Sequence, residues 1–263
     1  MIFALVVVLA LMLVVMITAW ATVVRTGNGG WIDVFWSFGT GVAGVIAALA
    51  PWSGAPSWRQ MLVAGLVAIW ALRLGSYIAI RVAGGGEDVR YTALKAQWGP
   101  RFNRYLLGLA IVQAPATLLL CASIAAAALR PSGALRPTDI VGAALLLTAI
   151  VGEGVADRQM KRFKADKSNR GQVMDLGLWS WSRHPNYFFE WLGWLAYPVI
   201  GLDLSGRWSA GWAALIGPVV MFLILTRLTG VPPLEAAMVR SKGQAYRDYQ
   251  HRVGAFFPRP PRS

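Results

Sequence analysis

Residues 177–194 read GLWSWSRHPNYFFEWLGW. Trp179 and Trp181 lead through Arg183, His184, Pro185, Asn186 and Tyr187 into an apolar stretch that carries one carboxylate, Glu190. Arg183 and His184 are donors suited to an anion. Pro185 suits the first turn of a helix, where its missing N–H costs nothing. Asn186 and Glu190 are four apart and share a face on that helix. A carboxylate inside an apolar helix is expensive and marks a functional site. The plainer alternative is an interfacial belt of Trp and Tyr with Arg anchors. A belt, however, does not require His, Asn and Glu together.

Further polar constellations accompany this turn. Glu153, Asp157, Lys161 and Lys164 are spaced four, four and three, so a helix lays them in one stripe running out of an apolar segment into water. Ion pairing at i,i+4 accounts for Asp157 with Lys161 but not for Glu153, which interrupts an apolar run. Glu87, Asp88, Arg90 and Tyr91 lie in a polar loop over 83–103. Asp33 opens an apolar stretch beside Trp31, Phe35 and Trp36. Arg73 sits in mid-span with Tyr77 one turn later; it predicts a partner or a cavity, with Asp33 as the candidate partner and snorkelling as the alternative. Arg suits phosphate, Trp and Tyr suit planar rings, and carboxylates and amides suit ribose hydroxyls and carboxamides. A dinucleotide needs all three. Gly84-Gly85-Gly86 lacks the strand–turn–helix context of a dinucleotide fingerprint. A metal centre is not expected: His184 and His251 are the only two His, and no HExxH occurs. No GxSxG supports a Ser hydrolase. The single Cys121 allows no internal disulfide and reads as an inert buried thiol.

The elements that must position these residues are apolar helices. Of 263 residues, 56% are hydrophobic and 14% charged, with 13 Trp; the mean hydropathy is +0.52. Continuous apolar runs of about 20 residues recur, the length of a bilayer crossing, whereas a β-barrel would show alternation. The fold class is all-α, polytopic, in one membrane domain over 1–263. Residues 1–135 form the substrate-side helices and 136–263 the cofactor-binding half. Seven spans are expected: 1–24, 31–52, 59–82, 104–129, 138–156, 186–204 and 209–228, the fifth continuing as a polar helix to Lys167. The first lacks a basic n-region and is too long for a signal h-region, so it reads as retained. Of 25 Lys and Arg, 20 fall on one set of loops, four (Arg59, Arg130, Arg136, Arg207) on the other, and Arg73 in mid-span. The basic side is expected to be cytoplasmic, with the N-terminus outside and the C-terminus inside. A net charge of +13 in short loops between spans points to topology and anionic lipid, not to nucleic acid.

The segment GLWSWSRHPNYFFEW resembles bacterial membrane proteins grouped with the steroid 5α-reductases. ADRQMKRFK, GGGEDVRY and YRDYQHRVGAFFP extend the resemblance over roughly 28–258. The RHP-x-Y part is shared with isoprenylcysteine carboxyl methyltransferases. The resemblance implies a seven-helix fold that binds NADPH from the cytoplasmic side and reduces the C=C bond of a lipophilic enone. Asp157, Asn186, Glu190 and Trp179 match cofactor positions. Glu153 stands where that family has Asn, and Lys161 and Lys164 stand near its Arg positions. Phosphate contacts are then expected from Arg90, Lys161, Lys164, Arg183 and Arg252, and ring and ribose contacts from Trp179, Asn186, Tyr187 and Glu190. His184, Glu87, Asp88, Tyr91, Glu153 and Asp157 complete the expected cofactor set. The catalytic half departs from the pattern: Asp33 replaces a Glu, and Trp70 stands where a catalytic Tyr is expected. Asp33, Arg73 and Tyr77 are the candidate catalytic residues. The alternatives are an S-adenosylmethionine-dependent methyltransferase at the same pocket and a non-catalytic lipid-binding membrane protein. A bacterial inner membrane is the expected location.

Overall fold

The computed structural model describes residues 2–50, 55–131 and 134–261. Met1, the expected end of the second span at 51–52 and the last two residues of the tail lie outside the described residues. Among the described residues the chain is helical and contains no strand. The α-helices are α1 (Ile2–Thr26), α2 (Trp31–Leu49), α3 (Trp58–Ala83), α4 (Val89–Trp98), α5 (Phe102–Ala128), α6 (Pro137–Ala165), α7 (Pro185–Trp194), α8 (Ala196–Gly201), α9 (Ile216–Leu223), α10 (Val231–Lys242) and α11 (Gln244–Arg252). Among the described residues, six stretches are long and apolar enough to cross a bilayer: Phe3–Thr26, Trp31–Leu49, Trp58–Ala83, Val89–Ala128, Pro137–Ala165 and Ser209–Lys242. The protein is an all-α, polytopic membrane protein.

The difference from seven lies in the expected span at 186–204, which is two short helices, α7 and α8, parted at Leu195. Pro198 explains the break: it has no N–H for the carbonyl of Trp194, and its ring crowds that carbonyl. The stretch expected at 209–228 is also irregular. It begins as a 3₁₀ helix (Ser209–Leu215), continues as α9, and widens into a π-helical turn over Ile224–Leu228. There the N–H groups of Thr229 and Gly230 both reach the Ile224 carbonyl, at 3.0 and 3.2 Å. Gly230 is required at this point, since a Cβ would lie 2.3 Å from the Leu225 carbonyl oxygen. The polar loop expected over 83–103 contains the short helix α4, and the tail contains α10 and α11.

The chain forms two compact units, Met1–Ala143 with Leu195–Val220, and Ala144–Trp194 with Met221–Ser263. In the first unit α1 buries Val8, Met12, Met16, Ala19 and Val23. Their spacing of four, four, three and four makes one stripe, which packs on α2 and α5. Apolar burial drives helix association weakly in lipid, so close packing must do it. Gly41 supplies such closeness: a Cβ there would stand 2.2 Å from that of Ala71 on α3. Helix α3 begins with a capping box, Ser57 with Gln60. One residue inside it, Arg59 is only 1% exposed. Its guanidinium donates to both oxygens of Asp139, each at 2.8 Å, and to the Arg130 carbonyl at 2.8 Å.

In the second unit the later part of α6 packs on α7 through two glycines. A Cβ on Gly152 would meet the Phe189 ring at 2.4 Å, and one on Gly193 would meet Leu146 at 3.0 Å. Phe188, Trp191, Phe222, Phe256 and Phe257 form an aromatic cluster. Tyr246, Tyr249 and Val253 pack with Val173, Met238 and Val239.

Candidate functional site

In the first unit the expected site residues form a closed network that ties the loop before α4 to the start of α2. Asp88 caps α4, accepting from the Arg90 N–H at 3.0 Å. The Arg90 side chain donates to Asp88 through Nε at 3.0 Å and to Asp33 through Nη2 at 2.7 Å. The Tyr91 hydroxyl donates to the other Asp33 oxygen at 2.9 Å. Asp33 is thus held by Arg90 and Tyr91. Burial alone would raise the Asp88 pKa; the charge and hydrogen bonds of Arg90, aided by Arg81, outweigh it and hold the group at about 2. Glu87 accepts from the Gly29 N–H at 2.8 Å and from Lys95 at 2.6 Å. Gly29 is needed because a Cβ would stand 2.4 Å from the Tyr91 ring. Glu87, Asp88, Arg90 and Tyr91, expected as cofactor ligands, therefore all have structural partners. Arg73 lies over the Tyr77 ring at 5.6 Å. Trp70 is buried and meets Trp36 edge-on at 6.3 Å.

In the second unit the turn before α7 is densely hydrogen-bonded. The Arg183 N–H donates to the Gly254 carbonyl at 2.9 Å, and the Arg259 N–H to the Trp181 carbonyl at 2.9 Å. The Ser182 hydroxyl donates to the Phe256 carbonyl at 2.8 Å, and Tyr249 donates to the Trp179 carbonyl. The C-terminal segment is strapped to the turn by these bonds. The Arg183 guanidinium makes a two-pronged pair with Glu235 on α10, at 2.7 and 3.1 Å. It also donates to the Gln250 carbonyl at 3.1 Å and to the Val253 carbonyl. His184, 2% exposed, shares a hydrogen bond with Glu235 at 3.0 Å. Burial lowers the His184 pKa; the Glu235 hydrogen bond and charge oppose that without reversing it. The ring is therefore neutral at pH 7, with Nε2–H facing the carboxylate. Arg183 and His184, expected to face an anionic cofactor, are both hydrogen-bonded to Glu235.

A polar row follows on the paired helices. Glu153 and Asp157 on α6 are each 5% exposed, and Glu190 on α7 is 8% exposed. Glu190 accepts from Trp194 Nε1 at 2.9 Å. Trp179 is buried, and its Nε1 donates to the Ala156 carbonyl at 3.1 Å, next to Asp157. Leu178 N–H donates to Gln159 at 3.0 Å. Gly177 has φ +61°, and Gln159 lies 2.7 Å from where its Cβ would be. Asn186 and Tyr187 are half-buried on the first turn of α7. Tyr187 stacks on His184 with centroids 5.5 Å apart and planes 12° apart. Lys161 and Lys164 are exposed at the far end of the α6 stripe. Arg252 is exposed and pairs with Asp175 at 2.9 Å.

For a nicotinamide dinucleotide, the second unit fits one half better than the other. Buried carboxylates and the Asn186 amide suit hydroxyls and a carboxamide. Of the cations expected for phosphate there, Arg183 and Arg252 are ion-paired, and Lys161 and Lys164 are exposed. No group of three or more His, Cys, Asp or Glu suited to a metal ion occurs among the described residues. Glu235, Gln250, Ser182 and Tyr249 were not foreseen. The available signal was Glu235 itself, a carboxylate inside the apolar run VPPLEAAMV of a basic tail.

Residues 19–253 match the model of a family described as a protein of unknown function, DUF1295. The chain belongs to this family. It is also 30% identical over 238 residues to an uncharacterized protein of Schizosaccharomyces pombe, covering 77% of this chain and 64% of that relative. The chain thus spans just under two thirds of the relative's length. No solved structure matches it. In this family member the matched stretch includes every expected site residue, from Asp33 to Arg252.

Proposed function

We propose that the protein is a membrane oxidoreductase that takes NADPH and reduces the C=C bond of a lipophilic, steroid- or isoprenoid-like enone. The observation that carries this reading is the row of Glu153, Asp157 and Glu190. These carboxylates are buried on two paired apolar helices, next to Trp179 and below the exposed Lys161 and Lys164. Carboxylates buried in spanning helices are costly and concentrate at functional sites. The resemblance to steroid 5α-reductase-like proteins gives the row its chemistry. NADPH would supply a hydride, and the reduction is completed by one proton. Glu190 and Asn186, on one face of α7, orient the hydroxyls and amide of the nucleotide. Asp157, Lys161 and Lys164 read the ribose and phosphate end. Asp33, Arg73 and Tyr77 remain the candidates for polarising the substrate carbonyl, with Asp33 already hydrogen-bonded by Tyr91 and Arg90.

A second reading, methyl transfer from S-adenosylmethionine, is favoured by one observation. Arg90, Arg183 and Arg252, expected for phosphate, all pair with carboxylates of the chain, and S-adenosylmethionine carries no phosphate. Purification in mild detergent followed by mass spectrometry of the denatured sample separates the two. NADP(H) is the expected co-purifying nucleotide and would direct a screen of enones. S-adenosylmethionine or its demethylated product would replace the reductase reading. A protein that is empty and does not bind added NADPH would remove it.

A further inference from the structure

Four hydrogen bonds converge on the carboxylate of Glu235, a residue outside the expected site. Arg183 donates two, at 2.7 and 3.1 Å; His184 Nε2 contributes one at 3.0 Å and Gln250 Nε2 one at 2.8 Å. We propose that Glu235 is a positioning residue for the nucleotide site of the second unit, setting the first turn of α7 through Arg183 and His184. The inference rests on the nucleotide reading given above.

The geometry runs from α10 to the site in three steps. The two-pronged contact sets the plane of the Arg183 guanidinium, and Gln250 on α11 holds one oxygen, so the carboxylate is not free to rotate. An ionised carboxylate only accepts, so its bond to His184 selects the imidazole form with hydrogen on Nε2. The His184 ring so oriented is the surface on which Tyr187 stacks, 5.5 Å away and 12° from parallel. Tyr187 adjoins Asn186, and the His184 carbonyl accepts from the Phe188 N–H of the same turn at 3.0 Å. The charged groups facing His184 are Glu235 from α10 and Arg183 from its own turn; Tyr246 on α11 adjoins the pair. A clamp serving the fold alone would need only Arg183 and the main-chain carbonyls. The His184–Tyr187 stack adds a link from Glu235 to side chains of the site.

The test uses the full chain in detergent, with NADPH as the probe, or S-adenosylmethionine if that is what co-purifies. Glu235→Gln keeps the shape and removes the charge. It is expected to weaken binding at least about tenfold, and Glu235→Asp to recover part of that. The chain has two His, so ¹⁵N-histidine spectra on a His251→Asn background report His184 alone. The wild type should show the Nε2–H form at pH 7.5, and Glu235→Gln a mixture of both neutral forms. If Glu235→Gln does not fold, Gln250→Leu removes one of the four bonds and is expected to shift the same spectrum and weaken binding in the same direction. Wild-type binding with unchanged affinity in a folded Glu235→Gln protein overturns the positioning role alone. An unchanged His184 spectrum in that variant does the same. A wild type that binds neither probe overturns the nucleotide reading and this role together.

Discussion

Asp139 in the first unit and Glu235 in the second each gather an arginine by both oxygens, and the contrast between them bears on the proposal that Glu235 positions a site. Asp139 in the first unit is 0% exposed and takes both prongs of Arg59 plus the Arg136 N–H at 2.9 Å. The remaining Arg59 nitrogen goes to the Arg130 carbonyl, and Arg130 in turn donates to the Ile200 carbonyl at 2.8 Å. Arg130 also reaches the Thr138 hydroxyl at 3.5 Å and lies 3.8 Å from Asp203, so these bonds stay among the helix ends. Glu235 in the second unit also binds an arginine by both oxygens, but through His184 its bonds continue to the stacked Tyr187 beside Asn186. The same chemistry staples helix ends in one place and, in the proposal above, orients the half-buried Tyr187 beside Asn186 in the other.

The sharpest way to break the comparison is Asp139→Ala, which leaves Arg59 buried without its carboxylate. It should cost about 3–5 kcal/mol, seen as a large fall in the thermal midpoint in detergent. Nucleotide affinity of whatever protein remains folded should be unchanged. A loss of affinity in the folded fraction would show that the two carboxylates do not differ in kind. Glu235→Ala should cost less stability, about 2–3 kcal/mol, because the pair is partly solvated, yet it should cost affinity as well. Equal stability loss with full affinity would reverse the assignment.

A smaller effect separates the helix pairs of the two units. Gly41→Ala forces a Cβ to within 2.2 Å of the Ala71 Cβ, an atom attached directly to the backbone. It should destabilise by about 1–3 kcal/mol. Gly152→Ala meets side-chain ring atoms of Phe189, which adjust more readily than an atom fixed to the backbone, so the cost should lie near the lower end, about 1 kcal/mol. Thermal midpoints of the two variants decide the order.

The mildest probe is pH. His184 has a lowered pKa in the folded protein because it is buried. The folded state thus binds fewer protons than the unfolded one below the ordinary value of 6.5, and stability rises with pH there. The contribution is complete above about 6.5 and declines as pH falls. Asp88 is lowered to about 2 from 3.8, so its contribution is complete above 3.8 and is lost only as pH falls toward 2. Taking the protein from about pH 7.5 to about pH 5.5 should therefore lower the protection of amides around residues 182–187, relative to their intrinsic exchange at each pH, and leave the loop at 84–91 protected. Early opening of that loop would contradict the Arg90–Asp88 account.

The membrane class, most helix positions and the polar stripe on α6 were legible because they follow from local pattern. Apolar length predicts a crossing, and spacing by three and four places Glu153, Asp157, Lys161 and Lys164 on one face. The break between α7 and α8 was also present in the sequence, at Pro198, but a continuous apolar run masks it. The partners of the charges were not legible. Asp33 is held by Arg90 and Tyr91, both carried by a short helix inside what reads as a loop. Arg59 read as a loop charge and is nearly fully buried against Asp139, eighty residues away.

By itself, the sequence determined that this chain is helical, that it belongs in a bilayer, and which polar residues interrupt its apolar helices. These properties depend on neighbours three or four residues apart and on the cost of burying charge in lipid. Only the tertiary structure decided which of those polar residues are left facing outward. Arg183 and His184 have the chemistry of anion ligands, but Glu235, fifty-two and fifty-one residues further on, takes their hydrogen bonds. A guanidinium has a fixed set of donors, and whether they meet a ligand or a carboxylate of the same chain depends on contacts that no local pattern encodes.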